Sequence, residues 1–137
     1  MKLKEKRELL FRILFSHPFD ENQEVQKDML ESFTRNEKEI SEEDKELVLA
    51  ELAQIRNHLP EIDDIINQKV ERWNTKTMAK VELAILRMTV YELFYKKEVP
   101  IPVLANDAVT LASAYGQDNS FRFVNGAVAK IVEGLDR

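Results

Sequence analysis

A chain of 137 residues, 44% of them apolar, has the length and composition of one globular domain. The absence of cysteine excludes disulfide bonds, thiolate metal sites and a cysteine nucleophile. A formal net charge of -5 argues against a protein that coats nucleic acid, so any RNA-binding surface has to be a local patch of Lys and Arg. Residues 1–6 lack the apolar core of a signal peptide, and no uncharged stretch is long enough to span a bilayer, so we expect a cytoplasmic protein.

The first two predicted elements are amphipathic helices, one over residues 3–16 that ends at Pro18 and one near residues 22–35. Residues 1–12 are mainly basic, whereas residues 31–46 are mainly acidic. The apolar stripes consist of Leu3, Leu10, Ile13 and Leu14 in the first helix, and of Val25, Met29 and Phe33 in the second.

A long helix is predicted to follow. Ser41 and, three residues later, Asp44 have the form of a capping box, which marks a helix start. From Val48 to Trp73, apolar residues recur at alternating three- and four-residue steps, which predicts one stripe of core positions. Because proline lacks a backbone donor, we expect Pro60 to kink this segment or to divide it into two nearly coaxial helices.

Three further helices are predicted in the second half of the chain. Residues 78–95 have 13 apolar positions of 18, spread around the helix, which predicts a central helix packed on several sides. Pro102 can occupy the first turn of the next helix and Gly116 can end it. The last helix lies near residues 119–134. Since no alternating pattern indicates a strand, the expected fold class is all-α.

Three stretches in this half carry a resemblance to a known family. Their order and spacing over roughly residues 70–130 resemble the NusB family pattern of a V-E-x-x-I-L-R run, a Y-E-L, a V-P before an N-E-A-type helix, and an F-V-N-G. The first 70 residues match mainly in helix layout, with Arg7 and residues 14–16 aligned to a basic first helix and its aromatic end. The matching segments are residues 81–88 with 91–93, residues 99–100 with 106–108, and residues 115–116 with 123–126.

The resemblance implies two small helical bundles packed against each other, with about six or seven helices. The N-terminal subdomain would cover about residues 1–73 and the C-terminal subdomain about residues 74–137. It also implies a transcription antitermination factor that binds boxA-type single-stranded RNA, especially in ribosomal RNA leaders. The implied protein partners are NusE, a small-subunit ribosomal protein, and the RNA polymerase elongation complex with other Nus factors; no cofactor is implied.

On the first helix, Lys4, Arg7, Phe11 and Phe15 follow one line beside the apolar stripe, which suits phosphates at one end and an apolar partner at the other. The alternative is that the rings extend the core and the cations are solvated. The resemblance implies that Phe15 contacts NusE. Because acidic residues interrupt the family's arginine-rich start, we expect RNA affinity to be weaker or more dependent on the partner. The RNA-binding candidates in this segment are Lys2, Lys4, Lys6 and Arg7.

Glu82 stands among apolar residues of the central helix, where an unpaired buried carboxylate is costly. We therefore expect it to face a cation or an interface. The resemblance suggests contact with NusE, and the alternative is a pairing within the fold with Arg87 or a lysine. Glu92 and Lys96 have the spacing of an ordinary surface pair.

A second group of RNA-binding candidates, Asn119, Ser120, Arg122 and Phe123, follows a glycine-ended turn. Backbone donors, small polar groups, a cation and a ring at one helix start suit unpaired RNA. The alternative is that Asn119 or Ser120 caps the helix and Phe123 belongs to the core, and the cap and RNA roles are compatible. Gly126 is interpreted as a point of close helix approach.

The sequence shows no catalytic constellation. His17 and His58 have no second ligand at metal-binding spacing, so no metal site is expected. No P-loop, G-x-S-x-G or G-x-G-x-x-G occurs, and no enzyme activity is expected. The leading hypothesis is an RNA-binding adaptor, and the second is a helical protein interaction adaptor with the same fold but no significant RNA binding. A third, a relative of the helical domain of ribosomal RNA cytosine methyltransferases, lacks the cofactor loop such an enzyme needs.

Overall fold

The computed structural model describes residues 1–16, 23–35 and 40–135, and within these ranges the chain forms seven α-helices and no strand. The predicted all-α fold class is confirmed. His17 and the predicted helix end at Pro18 lie outside the described residues. None of the described helices combines the length and apolar character needed to cross a membrane. The helices are α1 (Leu3–Ser16), α2 (Gln23–Thr34), α3 (Glu42–Asn57), α4 (Leu59–Lys69), α5 (Lys80–Tyr95), α6 (Ile101–Tyr115) and α7 (Ser120–Val132).

The first compact unit, Met1–Asn57, contains α1, α2 and α3. The predicted cap is present, since the Ser41 hydroxyl oxygen accepts the Asp44 backbone N–H at 3.0 Å and so satisfies a donor that the first turn of α3 leaves open. The residues predicted as the apolar stripe of α2, Val25, Met29 and Phe33, are only half-buried. Among the described residues of α2, the fully buried apolar side chain is that of Leu30. The principal core side chains of this unit are Leu10, Phe11, Ile13, Leu14, Leu30, Val48, Leu52 and Ile55.

The long apolar stripe is divided in two, because α3 ends at Asn57 and α4 begins at Leu59. Pro60 lies in the first turn of α4. Backbone N–H groups in a first turn have no acceptor within the helix, so the proline breaks no helical hydrogen bond there. The second compact unit starts at His58, earlier than the boundary near residue 73 that the resemblance implied, because α4 packs against α5 and α7. The buried stripe ends at Val70. Trp73 is 50% exposed, so its predicted place in the core is wrong.

In the second unit, His58–Arg137, α5 is the central helix and packs against α4, α6 and α7, as its all-round apolar surface predicts. Both α6 and α7 bury apolar side chains against it and against each other, namely Leu104, Ala108, Leu111 and Ala112 of α6 and Val124, Ala127, Val128 and Ile131 of α7. Glu92 is only 2% exposed, so its interpretation as part of an ordinary surface pair is wrong. A helix covered on several sides has little surface left for such a pair.

Two glycines of this unit have different explanations. Gly116 ends α6 as predicted, but its backbone is extended, with φ -90° and ψ -171°, a conformation that any residue can adopt. Glycine is needed here because neighbouring atoms leave no room for a side chain. A Cβ at this position would overlap the Ser120 side chain and lie 2.7 Å from the Ala112 carbonyl oxygen. Gly126 is exposed, and no described atom lies within 4 Å of a Cβ built there. The interpretation of Gly126 as a close helix approach is therefore wrong.

Candidate functional site

The line of four residues predicted on α1 is not one exposed surface. Lys4 and Phe15 are exposed, whereas Phe11 is a core residue and Arg7 is fully buried at 0% exposure. The Phe11 and Phe15 rings stack with centroids 5.9 Å apart, so the buried ring supports the exposed one. Phe15, 40% exposed, can meet an apolar partner. Arg7 is not accessible to a phosphate, which corrects its predicted role in direct RNA contact.

An ion pair further reduces the number of accessible cations at the basic start of the chain. The Lys6 ammonium lies 3.1 Å from a carboxylate oxygen of Glu51 on α3, and both side chains are largely buried. Lys6 is thus neutralised within the first unit rather than presented to RNA, which corrects the prediction for this residue as well. Lys2 and Lys4 remain as exposed members of the predicted cationic group.

A cleft beside α1 is lined by Lys4, Glu8, Arg12 and Phe33, among others. The Arg12 guanidinium lies 4.4 Å from the centroid of the Phe33 ring, a cation–π contact that attaches α2 to α1. Because acidic and basic side chains are mixed in this cleft, its charge favours neither an anionic nor a cationic ligand. The positions of Arg12 and Phe33 in this cleft are explained by the packing of α1 against α2.

Another candidate site lies in the second unit, where the start of α5 and the turn between α6 and α7 line two adjoining clefts that share Glu82, Gln117 and Asn119. We refer to both together as the Glu82 cleft. Four predicted site residues thus line one place: Glu82 of α5, and Asn119, Ser120 and Phe123 from the group predicted at the start of α7. The lining residues are Trp73, Thr77, Ala79, Glu82, Gln117, Asp118, Asn119, Ser120 and Phe123.

Glu82 is half-buried, and its carboxylate makes no hydrogen bond or ion pair within the described part of the chain. Arg87, the partner considered from sequence, is instead bound to Asp63 by two hydrogen bonds of 2.9 and 2.8 Å. The pairing of Glu82 with Arg87 is therefore wrong. The cleft contains an uncompensated negative charge, which favours an incoming cation or hydrogen-bond donor.

The turn before α7 is organised by Ser120, whose hydroxyl oxygen accepts the Gln117 backbone N–H at 2.9 Å. Ser120 is only 4% exposed, so it shapes the turn rather than contacting RNA, which corrects its predicted role. Asn119 occupies the N-cap position of α7, but its side chain makes no capping bond. Because Asn119 is exposed, its side-chain amide remains open to a ligand in the cleft.

Arg122 and Phe123 have different surroundings. Arg122 is exposed and does not line the cleft; its guanidinium lies 5.5 Å from the centroid of the Phe121 ring. Phe123 is half-buried and forms part of the cleft wall, so the alternative that it is a core residue holds only in part. At the start of α7, the Arg122 cation is therefore exposed outside the cleft, whereas the Phe123 ring lies in the cleft wall.

Trp73 is a cleft residue that the sequence analysis missed. It lies in the segment between α4 and α5, where the Asn74 side-chain oxygen accepts the backbone N–H groups of Lys76 and Thr77 at 2.8 and 3.1 Å. The available signal was the run Asn-Thr-Lys-Thr after Trp73, which is typical of a turn rather than of a continuing helix. An apolar residue next to such a turn need not be part of a helical core stripe.

The groups in the Glu82 cleft are suited to recognition, since they comprise an acceptor carboxylate, amides and rings. Within the described ranges, no cluster of three or more His, Asp or Glu side chains is placed to hold a metal ion. His58 stacks on Tyr95 with ring centroids 4.0 Å apart, which gives it a packing role. The fold and the site together define an all-helical binding protein.

Comparison with known proteins places this binding protein in a family. The model of the NusB family matches residues 4–133, and the chain belongs to the NusB family. It is 38% identical over 133 residues to the transcription antitermination protein NusB of Lachnoclostridium phytofermentans, covering 97% of this chain and 100% of that protein.

Solved structures agree with this assignment. The structure of T. maritima NusB matches with a TM-score of 0.83 and 30% identity, covering 97% of this chain and 92% of that one. A chain in a crystal structure of antitermination factors NusB and NusE in complex with dsRNA matches with a TM-score of 0.77, over 96% of each chain. At 21% identity, this second match shows a shared fold.

Proposed function

We propose that this protein is a transcription antitermination factor that binds boxA-type single-stranded RNA together with NusE and so promotes processive transcription of ribosomal RNA operons. The observation that carries the proposal is the Glu82 cleft, where residues predicted separately for RNA and for a protein partner line one site. Membership of the NusB family supports it. The protein would act by binding, without a cofactor, in the cytoplasm, where it would join the RNA polymerase elongation complex with other Nus factors.

The proposed protein-binding residues are Glu82 and Phe15. Glu82 has an uncompensated carboxylate in a cleft, and Phe15 has an exposed ring supported by the buried ring of Phe11. A charge that is neutralised only in a complex and an exposed ring on a rigid base are both typical of protein interfaces. A relative that shares the fold has been crystallised with NusE, which makes NusE the partner to test.

The proposed RNA contacts are the accessible members of the predicted set. Lys2 and Lys4 present exposed ammonium groups, and Arg122 presents an exposed guanidinium. Asn119 and Phe123 supply an amide and a ring at the start of α7. Unpaired RNA is bound by such a combination, because cations neutralise phosphates while rings and amides contact bases.

The experiment is to measure binding of fluorescent boxA RNA by anisotropy at several salt concentrations, with and without purified NusE. We expect NusE to bind without RNA, and we expect RNA to bind with a salt slope that reports a few phosphate contacts, about 0.7 per contact for single strands. RNA that binds neither alone nor with NusE would refute the RNA part. Failure of NusE to bind would refute the partner part.

Matched variants assign the residues. Changing Lys2 and Lys4 to Ala should weaken RNA binding and flatten the salt slope, while NusE binding is retained. The control changes Lys27 and Lys69 to Ala, since these exposed lysines lie outside the proposed sites and the replacement removes the same charge. Changing Glu82 to Ala should weaken NusE binding and spare the RNA contacts of the protein alone.

A second candidate function, a helical interaction adaptor without significant RNA binding, is favoured by one observation. Arg7 is buried and Lys6 is paired with Glu51, so fewer cations are exposed than the sequence suggests. On this alternative, NusE binding would persist while boxA RNA would bind no better than an unrelated RNA of equal length. The same anisotropy series separates the two functions.

A further inference from the structure

Gly126 lies in the interior of α7, and the packing of the fold gives no reason for a glycine there. Glycine is among the least favourable residues in a helix interior. Gly126 is exposed, and no described atom lies within 4 Å of a Cβ built at this position, so an alanine would fit. Glycine also allows another molecule to approach a backbone closely. Because no described part of the chain makes that approach, a bound ligand is left as the group that can make it.

The helix around Gly126 is basic. Arg122 lies four residues before it and Lys130 four residues after it, so the three positions share one side of α7. Because an α-helix rises about 1.5 Å per residue, Arg122 and Lys130 are about 12 Å apart along the axis. Helix α7 contains no Asp or Glu, whereas each of the other described helices contains at least one. In a chain of net charge -5, α7 is thus a helix that a phosphate can approach without meeting a carboxylate of the same helix.

The polar side chains on this side of α7 are accessible. The ion pair between Lys130 and Glu133 is long, at 3.9 Å, and its side chains are 57% and 73% exposed, so solvent screens it strongly. The Arg122 guanidinium contacts the Phe121 ring and makes no ion pair within the described ranges. The exposed Asn125 side chain makes no hydrogen bond to any described residue. Two cations and one amide can therefore contact an incoming ligand.

We propose that the RNA strand bound at the start of α7 continues along this helix and that its backbone passes directly over Gly126. Arg122 and Lys130 then neutralise phosphates on either side of the glycine. The proposal rests on the proposed function, because it extends the RNA contacts of Asn119 and Phe123 along the same helix. A side chain at position 126 would hold the strand away from the helix. Because coulombic attraction falls with distance, both phosphate contacts would weaken together.

The composition of this side of α7 favours RNA over a protein as the occupant. The exposed positions between Arg122 and Lys130 are Asn125, Gly126 and Ala129, and none of them has a large apolar side chain. Protein interfaces depend on such side chains, above all aromatic ones, as anchors. A phosphate backbone needs cations and close access instead. Docking of a protein on this side of α7 is the competing outcome that the experiment has to detect.

The experiment measures the affinity of the full-length protein for fluorescent boxA RNA by anisotropy, with and without NusE, for G126A, G126L and K130Q. We expect G126L to weaken RNA binding by about tenfold and G126A by about threefold, in the order of side-chain size. K130Q should reduce the salt slope by about 0.7, the value of one phosphate contact in a single strand. G126A should melt no lower than the wild-type protein, because alanine favours the helix, so a loss of folding cannot explain weaker RNA binding.

Two matched variants control for helix propensity and for charge. S113A places a better helix former at an exposed position of α6, and K69Q removes the charge of an exposed lysine at the end of α4. Neither residue belongs to α7 or lines the Glu82 cleft. We expect both variants to bind boxA RNA within about twofold of the wild-type protein, because salt screens charges outside the contact.

Shortened RNAs show whether the strand follows the helix. Removing nucleotides one at a time from one end of boxA RNA should abolish the effect of K130Q at a length at which N119A still weakens binding. This order is expected because Lys130 lies about 16 Å farther along the α7 axis than Asn119. The end of the RNA that shows this order gives the direction of the strand along α7.

The outcomes are distinct. If the wild-type protein binds boxA RNA neither alone nor with NusE, the RNA part of the proposed function fails, and the path along α7 fails with it. If the wild-type protein binds boxA RNA but G126L and K130Q bind as tightly as S113A and K69Q, the path is refuted while the proposed function stands. If G126L weakens NusE binding and leaves RNA binding by the protein alone unchanged, this side of α7 docks a protein and the proposal is overturned.

Discussion

Removing the charge of Asp63 should destabilise the second unit, because Asp63 on α4 holds Arg87 on α5 with two hydrogen bonds of 2.9 and 2.8 Å. The two side chains are only 22% and 14% exposed, so solvent screens this pair less than a surface ion pair worth roughly 0–1 kcal/mol. Asp63→Asn keeps one acceptor but leaves the Arg87 guanidinium partly buried and uncompensated. A charged hydrogen bond contributes about 1.5–3 kcal/mol, so we expect a loss of about 2 kcal/mol.

Urea unfolding followed by circular dichroism measures this loss, and a thermal melt should show a Tm decrease of roughly 5–10 °C. Asp64→Asn is the matched control, because Asp64 is the next residue of α4, is exposed and loses the same charge. We expect the control to change stability by less than about 0.5 kcal/mol. If both variants unfold at the same urea concentration, the bidentate pair does not stabilise the unit and the assigned geometry is refuted.

The remaining predictions concern backbone space, a helix cap and one titration. Gly116→Ala should lower the free energy of unfolding by about 2 kcal/mol, because its Cβ would overlap neighbouring atoms. Gly126→Ala should raise the free energy of unfolding by about 0.5–1 kcal/mol, because the space is open and alanine favours the helix. Similar shifts of the two variants in paired melts would contradict this. Ser41→Ala should lower it by about 1 kcal/mol in urea unfolding, and an unchanged midpoint would argue against the cap. Burial, followed by the charge of Glu61, raises the pKa of Tyr95, so its phenol should stay protonated above the usual tyrosine range in an ultraviolet titration compared with Tyr95→Phe. Deprotonation at or below that range would contradict this direction of the pKa change.

Much of the candidate site was predictable, although its geometry was not. Glu82 was predicted to need a partner because it interrupts an apolar helix, and the structure leaves it without one among the described residues. Asn119 and Phe123 were predicted from the turn that precedes α7. That they share a cleft with Glu82 depends on the packing of α5 against α7, which is separated from it by more than twenty residues of chain.

The least predictable features were the cations and Trp73. In the sequence, Lys6 and Arg7 look the same as Lys2 and Lys4, but helix packing buries Arg7 and places Lys6 beside Glu51. Trp73 continues a three- and four-residue pattern, but the chain leaves the helix before it reaches that residue. Periodicity along the chain does not report which side chains on other helices will approach.

The order of neighbouring residues in the sequence therefore determined the helices, their caps and the family pattern, since these depend on residues within a few positions of one another. Apolar spacing predicted α1 and α5, and proline and serine positions predicted two of the helix starts. Tertiary packing alone decided which charges are neutralised, which rings are exposed and which predicted residues meet in the Glu82 cleft. The physical reason is that burial and ion pairing are set by neighbours from distant parts of the chain, whose approach no local pattern records.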